Sequence, residues 1–228
     1  MSLGKTGIIR PENEKFFSDQ RYLLIHPDEM KPGACAIQDC REYQPLVMFI
    51  GGAKDDKYGN VLKYIFDPYN RAHEGDQDIG YGTFQTGSAI AEIAREWHKK
   101  GQKICLIGHS YGGDTAMDVA RKLGAEDIAL ELVVTLDPVG RSGPTADQPK
   151  PIHLARWLNV YVDYESDASG KCDTFTPNGI AILGGPWQYC ANADNNAVYR
   201  FSDACLSHAQ ADQMFKLFGY EHEVAKIR

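Results

Sequence analysis

The chain contains the run Ile-Cys-Leu-Ile-Gly-His-Ser-Tyr-Gly-Gly, which holds a serine between two glycines at the spacing Gly108-x-Ser110-x-Gly112. An apolar segment of strand type, 103–107, precedes the motif, and a segment with helical periodicity follows it. On a tight turn between a strand and a helix, a serine hydroxyl stands clear of the sheet. The N–H of the next residue, Tyr111, then points to where an oxyanion would form. The motif therefore predicts that Ser110 is the nucleophile of a serine hydrolase.

A serine hydroxyl is a weak nucleophile at neutral pH, so Ser110 needs a general base, and the base needs an acid that orients it. Asp137 follows the apolar run 128–136, and Pro138 ends that predicted strand. We therefore expect the Asp137 carboxylate at the carboxyl edge of the sheet, next to the serine. Asp163, near the end of the following predicted strand, is the alternative acid.

Seven histidines compete for the role of the base. His109 adjoins the serine, but its side chain is expected to point away from it, into the packing of the turn. His208 follows the last predicted strand and opens the C-terminal helix, with Ser207 as its cap. The chain order serine, aspartate, histidine is the one used by hydrolases with this strand–serine–helix motif. His208 is therefore the predicted base. The alternative role for His208, a helix-end residue with only a local hydrogen bond, is less favoured.

The negative charge of a tetrahedral intermediate needs preorganised N–H donors. The N–H of Tyr111 is one candidate. A second is expected from the loop after the earlier apolar strand 45–50, which continues as Gly51-Gly52-Ala53. Ala53 is the first choice there and Gly52 the second. The glycines also suit a tight turn after a strand, and that role is compatible with the first.

The elements that must position these residues alternate between strands and helices. Strands are predicted at 45–50, 103–107, 128–136, 157–164 and 197–201, and helices at 61–65, 86–100, 113–123 and 207–218. Residues 165–187 and the rest of 55–82 are expected to be loops. Most of these strands are apolar throughout, which is typical of a sheet covered on both faces. The sequence predicts a single α/β domain over 1–228, with a mostly parallel central sheet, helices on both faces, and a flexible N-terminal extension at 1–20.

The composition excludes some classes of partner. A net charge of −7 argues against nucleic acid. No apolar run approaches the ~20 residues that span a bilayer. The N-terminus lacks the apolar core of a signal peptide, which leaves a cytoplasmic location or export by a non-classical route. The net charge does not argue against lipid substrates, because apolar contacts can capture them. The expected partner is a small-molecule or lipid ester.

Six cysteines leave the redox compartment open. Cys105 lies inside a predicted strand and is expected to be a small buried apolar residue. Cys35 and Cys40 bracket one short loop, and Cys172 and Cys190 bracket another. Either pair would close a disulfide in an oxidising compartment, but free thiols are favoured, and the spacings match no zinc site.

The motifs together resemble the α/β-hydrolase superfamily and, within it, the lipases and esterases. Gly-His-Ser-x-Gly-Gly at 108–113 resembles the lipase elbow, and Leu136-Asp137-Pro138 resembles the segment that carries the triad acid in pancreatic-type lipases. His208 is similar in placement to the triad histidine there. The resemblance covers about residues 45–218. It implies a single-domain α/β-hydrolase fold with a Ser-His-Asp triad that cleaves carboxylic esters through an acyl-enzyme, with no metal or organic cofactor. The alternatives are a thioesterase or amidase with the same triad, and a non-catalytic binding module of the same fold.

Overall fold

A sheet of seven parallel strands runs through the computed structural model, which describes residues 6–9, 43–140, 149–164, 172, 175–200 and 205–228. In chain order the strands are β1 (Thr6–Ile9), β2 (Leu46–Gly51), β3 (Asp78–Thr83), β4 (Ile104–His109), β5 (Leu130–Leu136), β6 (Leu154–Val162) and β7 (Asn195–Tyr199). Their order across the sheet is β1-β3-β2-β4-β5-β6-β7. Every neighbouring pair is parallel, so each connection crosses over the sheet.

Helices form most of these connections. They are α1 (Asp55–Tyr58), a π-helical turn (Leu62–Phe66), α2 (Asp67–Ala72), a 3₁₀ turn (Phe84–Thr86), α3 (Gly87–Lys99), α4 (Tyr111–Gly124), α5 (Pro177–Gly184), a second 3₁₀ turn (Ser207–Ala209), α6 (Ala211–Leu217) and α7 (Tyr220–Ala225).

Each face of the sheet has its own apolar core, because successive side chains of a strand point to opposite faces. On β2, Val47 and Phe49 belong to one core, and the Phe49 ring lies 6.0 Å from that of Phe215 in α6. Met48 belongs to the other core, together with Ile90 of α3 and residues of α4. The predicted fold class, a mainly parallel sheet with helices on both faces, is confirmed.

The largest error of the sequence prediction is β3, which lies between β1 and β2 in a segment predicted as a loop. Its sequence, Asp-Ile-Gly-Tyr-Gly-Thr, has two glycines and few β-branched residues, so it lacks the usual strand signal. The glycines have a packing role. A Cβ at Gly82 would lie 2.6 Å from the Thr86 hydroxyl and 3.0 Å from the Ile90 side chain, so glycine lets α3 approach the sheet.

The N-terminal segment differs from the prediction as well. Residues 1–20 were expected to be a flexible extension, but β1 pairs with β3 in parallel, with Thr6 opposite Ile79 and Ile9 opposite Gly82. The expectation is therefore wrong for Thr6–Ile9, and the other residues of 1–20 lie outside the described part of the chain. Pairing with a sheet edge orders even a short segment through its backbone hydrogen bonds.

Two predictions after β6 are also corrected. Residues 165–187 were expected to be loops, but they contain α5, whose N-cap Thr176 accepts a hydrogen bond from Gly179 N–H at 3.2 Å. Eight residues are too few for a clear helical period. The single helix predicted at 207–218 is instead a 3₁₀ turn and α6, separated at Gln210.

The cysteine predictions need a correction of their own. Cys172 forms a disulfide with Cys205, so neither the Cys172–Cys190 pair nor free thiols at these two positions is correct. Sequence spacing did not indicate this bridge, because its cysteines are 33 residues apart. Cys105 is free and buried in β4, as predicted, and Cys190 is also free and buried. The other predicted pair, Cys35 and Cys40, lies outside the described residues.

Candidate active site

The strand order reverses between β2 and β4, and this reversal creates a crevice at the carboxyl edge of the sheet. β2 and β4 are neighbours, with Ile50 opposite Gly108. The chain continues from β2 to β3 on one side and from β4 to β5 on the other. The loops after β2 and β4 therefore diverge, and open α/β sheets bind their ligands at such a point.

Ser110 stands at this point, on a sharp turn between β4 and α4. Its backbone has φ 56° and ψ −131°, a conformation that few residues other than glycine adopt. Two glycines make the turn possible. A Cβ at Gly112 would overlap the carbonyl oxygen of Ile50, and one at Gly108 would overlap that of Gly112. Ser110 N–H donates to Leu136 O at 3.2 Å, which ties the turn to β5. This is the α/β-hydrolase fold.

The structure brings together the three side chains that the sequence predicts to be catalytic. Ser110 Oγ lies 3.0 Å from His208 Nε2, and His208 Nδ1 lies 2.6 Å from Asp137 Oδ2. All three residues are buried. The distances are those of hydrogen bonds, and they allow a proton to pass from the serine to the imidazole while the carboxylate holds the opposite nitrogen.

The Asp137 carboxylate is held from several sides. Asp137 is fully buried and has a φ of 43°. Its Oδ1 accepts a hydrogen bond from Val162 N–H at 2.9 Å, and its Oδ2 accepts one from the Tyr164 hydroxyl in addition to that from His208. The alternative acid, Asp163, lies near the surface, 29% exposed and 3.9 Å from Arg200.

The backbone of His208 is fixed by two side chains that the sequence analysis did not assign to the site. His208 N–H donates to Asn178 Oδ1 of α5 at 2.8 Å, and His109 Nε2–H donates to His208 O at 2.7 Å. The His109 ring packs 4.7 Å from the His208 ring. Burial and the neighbouring His208 lower the pKa of His109 to about 3, so His109 is neutral and acts as a donor.

The loop after β2 runs directly beside the serine. A Cβ at Gly52 would lie 2.6 Å from Ser110 Cβ and 3.1 Å from Ser110 Oγ. Ala53 is exposed at the next position. Tyr111 is the first residue of α4, so its N–H belongs to the helix N-terminus, where no intrahelical acceptor is available. Of the three residues predicted to stabilise an oxyanion, Tyr111 therefore adjoins Ser110 in the chain, Gly52 lies beside it in space, and Ala53 follows Gly52.

A buried carboxylate anchors the far end of this loop. Asp55 accepts hydrogen bonds from Val61 N–H at 2.8 Å, from Leu62 N–H at 3.1 Å and from the Tyr81 hydroxyl at 2.6 Å. Burial raises the pKa of Asp55, while the three donors act in the opposite direction. A Cβ at Gly51 would lie 2.5 Å from the Tyr81 hydroxyl, so the loop packs closely on this pair. In the sequence, Asp55 is one of several charged residues in a polar segment, so nothing there indicates this buried role.

One wall next to the candidate site is apolar. α5 carries no charged side chain, and it exposes 46% of Ile180, 40% of Ile182 and 71% of Leu183. Its other contacts lead to the site: Asn178 binds the His208 backbone, and a Cβ at Gly184 would lie 3.1 Å from the Tyr111 hydroxyl. α5 therefore joins an exposed apolar surface to residues that hold the candidate triad.

No group of three or more His, Cys, Asp or Glu side chains in the described part of the chain is arranged to hold a metal ion. Among the helices that the structure describes, none has the length and apolar character needed to cross a bilayer.

The sequence matches no protein-family model and no curated protein. Several solved structures are similar in fold. YbtT, a type II thioesterase from the yersiniabactin NRPS/PKS biosynthetic pathway, is 9% identical with a TM-score of 0.47 over 81% of this chain and 95% of its own. The lipase BlEst2 of Bacillus licheniformis is 13% identical with a TM-score of 0.48 over 81% and 93%. An esterase of Pyrobaculum calidifontis is 13% identical with a TM-score of 0.41 over 82% and 78%.

Proposed function

We propose that this protein is a serine hydrolase that cleaves carboxylic esters through an acyl-enzyme. The observation that carries the proposal is the unbroken series of hydrogen-bond distances from Ser110 Oγ to His208 Nε2, 3.0 Å, and from His208 Nδ1 to Asp137 Oδ2, 2.6 Å. A nucleophile, a base and an orienting acid in this arrangement are the parts that acyl transfer requires.

In the first half of the reaction, Ser110 Oγ attacks the ester carbonyl carbon as its proton moves to His208 Nε2. Asp137 keeps the proton of the imidazole on Nδ1, so that Nε2 is free to accept, and it stabilises the imidazolium that forms. When the tetrahedral intermediate collapses, the bond to the alkoxy group breaks and His208 gives that group its proton. Water then repeats the sequence on the acyl-enzyme and releases the acid.

The oxyanion of the intermediate needs N–H donors that are already in place. We assign this role to the N–H groups of Tyr111 and of Ala53 or Gly52. The contact of Gly52 with Ser110 brings the loop after β2 within reach of the reacting carbonyl. The Asp55 anchor limits the movement of that loop, which preserves the donor geometry between turnovers.

The surface of α5, the helix whose Asn178 holds the His208 backbone, supports a choice of substrate class. The exposed isoleucines and leucine of α5 favour an apolar acyl chain or a lipid ester over a charged substrate. Thioesterase or amidase activity would use the same three side chains and differ in the leaving group. A purely binding role would not require the serine and the histidine to lie at hydrogen-bond distance.

A fluorophosphonate probe tests the proposal, because an activated serine attacks its phosphorus and releases fluoride. We expect one adduct, at Ser110, and no adduct in Ser110→Ala. Matched butyryl ester, thioester and amide substrates then rank the leaving groups, and longer acyl chains test the apolar surface. A folded wild-type protein without an adduct would refute the serine hydrolase. A thioester or amide turned over faster than the ester would change the substrate class only.

A further inference from the structure

Tyr164 contacts two members of the candidate triad at once. It follows the end of β6 and is buried. Its hydroxyl donates a hydrogen bond to Asp137 Oδ2 and lies 3.4 Å from His208 Nδ1. This hydroxyl therefore shares one carboxylate oxygen with the imidazole N–H, which is 2.6 Å from the same atom.

We propose that Tyr164 is a positioning residue that tunes the general base through Asp137. The inference rests on the proposed function, because it assigns to Tyr164 an effect on the proton transfer between Ser110 and His208. It adds a fourth side chain to the three that the sequence motifs indicate.

Three groups donate to the Asp137 carboxylate. Oδ1 receives the Val162 N–H at 2.9 Å, and Oδ2 receives both His208 and Tyr164. A hydroxyl that donates to a carboxylate stabilises the negative charge and reduces the attraction that remains for a neighbouring cation. Tyr164 therefore weakens the pull of Asp137 on the imidazolium form of His208.

The Tyr164 hydroxyl also fixes the geometry of the carboxylate. Asp137 follows the last residue of β5 with a positive φ, in a buried position. With Val162 on one oxygen and Tyr164 on the other, the carboxylate plane cannot rotate without breaking a hydrogen bond. Oδ2 therefore remains in line with His208 Nδ1.

The groups that face His208 define what a pH profile would report. Asp137 and Tyr164 lie at Nδ1, Ser110 lies at Nε2, and the neutral His109 packs against the ring. Asp137 is the one carboxyl group among these four. A change in the donors to Asp137 should therefore appear directly in the titration of the base.

The test is the second-order rate constant for fluorophosphonate labelling of Ser110 between pH 5 and 9, measured for the wild type and Tyr164→Phe. This substitution removes one oxygen atom. We expect a rate at neutral pH lower by about tenfold to a hundredfold, because the carboxylate loses the hydrogen bond that keeps Oδ2 in line with His208 Nδ1, and one hydrogen bond to a charged group is worth about that much. We expect the acid limb of the profile to move to higher pH by roughly half a pH unit or more, because Asp137 without the Tyr164 hydroxyl attracts the imidazolium form of His208 more strongly.

Tyr199→Phe is the matched control. Tyr199 is a buried tyrosine on β7, opposite Val162 in the neighbouring strand, and it does not contact the triad. Its profile should coincide with that of the wild type. In an Asp137→Asn background, Tyr164→Phe should change the labelling rate by less than about twofold, because a residue that acts through Asp137 has no effect once that carboxylate is gone.

An unchanged acid limb in Tyr164→Phe would overturn the inference, since a purely structural tyrosine would lower stability without moving the titration. A shift to lower pH would overturn it as well, because the hydroxyl would then act as an acceptor from His208. Both outcomes leave the proposed function standing if the wild type is labelled at Ser110. A wild type that is not labelled at all contradicts the proposed function itself.

Discussion

Replacing Asp137 with asparagine tests the proton-transfer geometry most directly. The structure determines how the new amide would lie. Val162 N–H is 2.9 Å from Oδ1, so the amide oxygen must occupy that position to accept its hydrogen bond. The amide NH₂ then takes the place of Oδ2, 2.6 Å from His208 Nδ1. Two N–H groups cannot face each other at this distance, so the imidazole adopts the other tautomer.

The wrong tautomer determines the size of the effect. With its proton on Nε2, His208 donates to Ser110 Oγ at 3.0 Å and can no longer accept the proton of the serine. We expect kcat to fall by about 10⁴-fold, the loss known for this tautomer change in a serine protease triad. This corresponds to about 5.4 kcal/mol of transition-state stabilisation. The fold should persist, because asparagine has the same shape and Tyr164 can donate or accept.

Steady-state hydrolysis of p-nitrophenyl butyrate and fluorophosphonate labelling measure the loss, and circular dichroism with thermal unfolding checks the fold. Asp163→Asn is the matched control, because Asp163 is the alternative acid and lies at the surface. Its rate should remain within about threefold of the wild type, since surface substitutions have small effects. The reasoning is refuted if folded Asp137→Asn keeps a tenth of the activity, or if Asp163→Asn loses more.

Three further predictions concern the surroundings of the triad. Gly52→Ala places a Cβ 2.6 Å from Ser110 Cβ. It should slow labelling by about 10²-fold or more, which is the effect of losing one oxyanion donor. In the control Gly101→Ala the new Cβ meets no atom within 4 Å, and the labelling rate should not change. Because the pKa of His109 is lowered to about 3, the unfolded chain binds a proton below about pH 6.5 that the native protein does not. As the pH is lowered from about 6.5 to about 3, the free energy of unfolding should therefore fall by up to roughly 1.4 kcal/mol per pH unit. His109→Gln should remove this contribution to the pH dependence. Cys172→Ser should cost about 2–4 kcal/mol of stability and slow labelling, since Cys205 O accepts from Asn178 N–H and Asn178 holds His208.

Each of these has an outcome that contradicts it. Normal labelling of Gly52→Ala would show that the loop after β2 moves aside freely. A denaturation series with the same pH slope in His109→Gln would assign the acid sensitivity to other groups. Unchanged labelling in Cys172→Ser would show that the disulfide stabilises the chain without positioning the histidine. Cys190→Ala, which changes a free cysteine, is the matched control for that variant.

The sequence predicted those parts of the molecule whose local pattern matches their final environment. β2, β4 and β5 are mostly apolar because both of their faces are largely buried, and the turn at Ser110 has glycines because the backbone crowds there. The predicted triad residues meet in the structure, and their catalytic role stays a prediction.

The parts that were missed depend on contacts between distant residues. Tyr164 and Asn178 reach the site through the ends of β6 and α5, and nothing in their neighbouring sequence distinguishes them from other loop residues. Glycine in β3 weakens the strand signal locally, and it is explained only by the packing of α3. The Cys172–Cys205 bridge likewise joins segments that only the fold brings together.

The all-parallel sheet has a consequence for how the protein folds. Parallel strands cannot pair through a hairpin, so each pairing requires a crossover connection. The entropy of closing these long loops is therefore lost before the stabilising contacts form. Ser110 and His208 are 98 residues apart in the chain, and they meet only when β4, β5 and the C-terminal segment are all in place. Recovery of Ser110 reactivity during refolding should therefore be among the last signals to return, after helical circular dichroism. Labelling of the serine would then count completely folded molecules rather than compact ones.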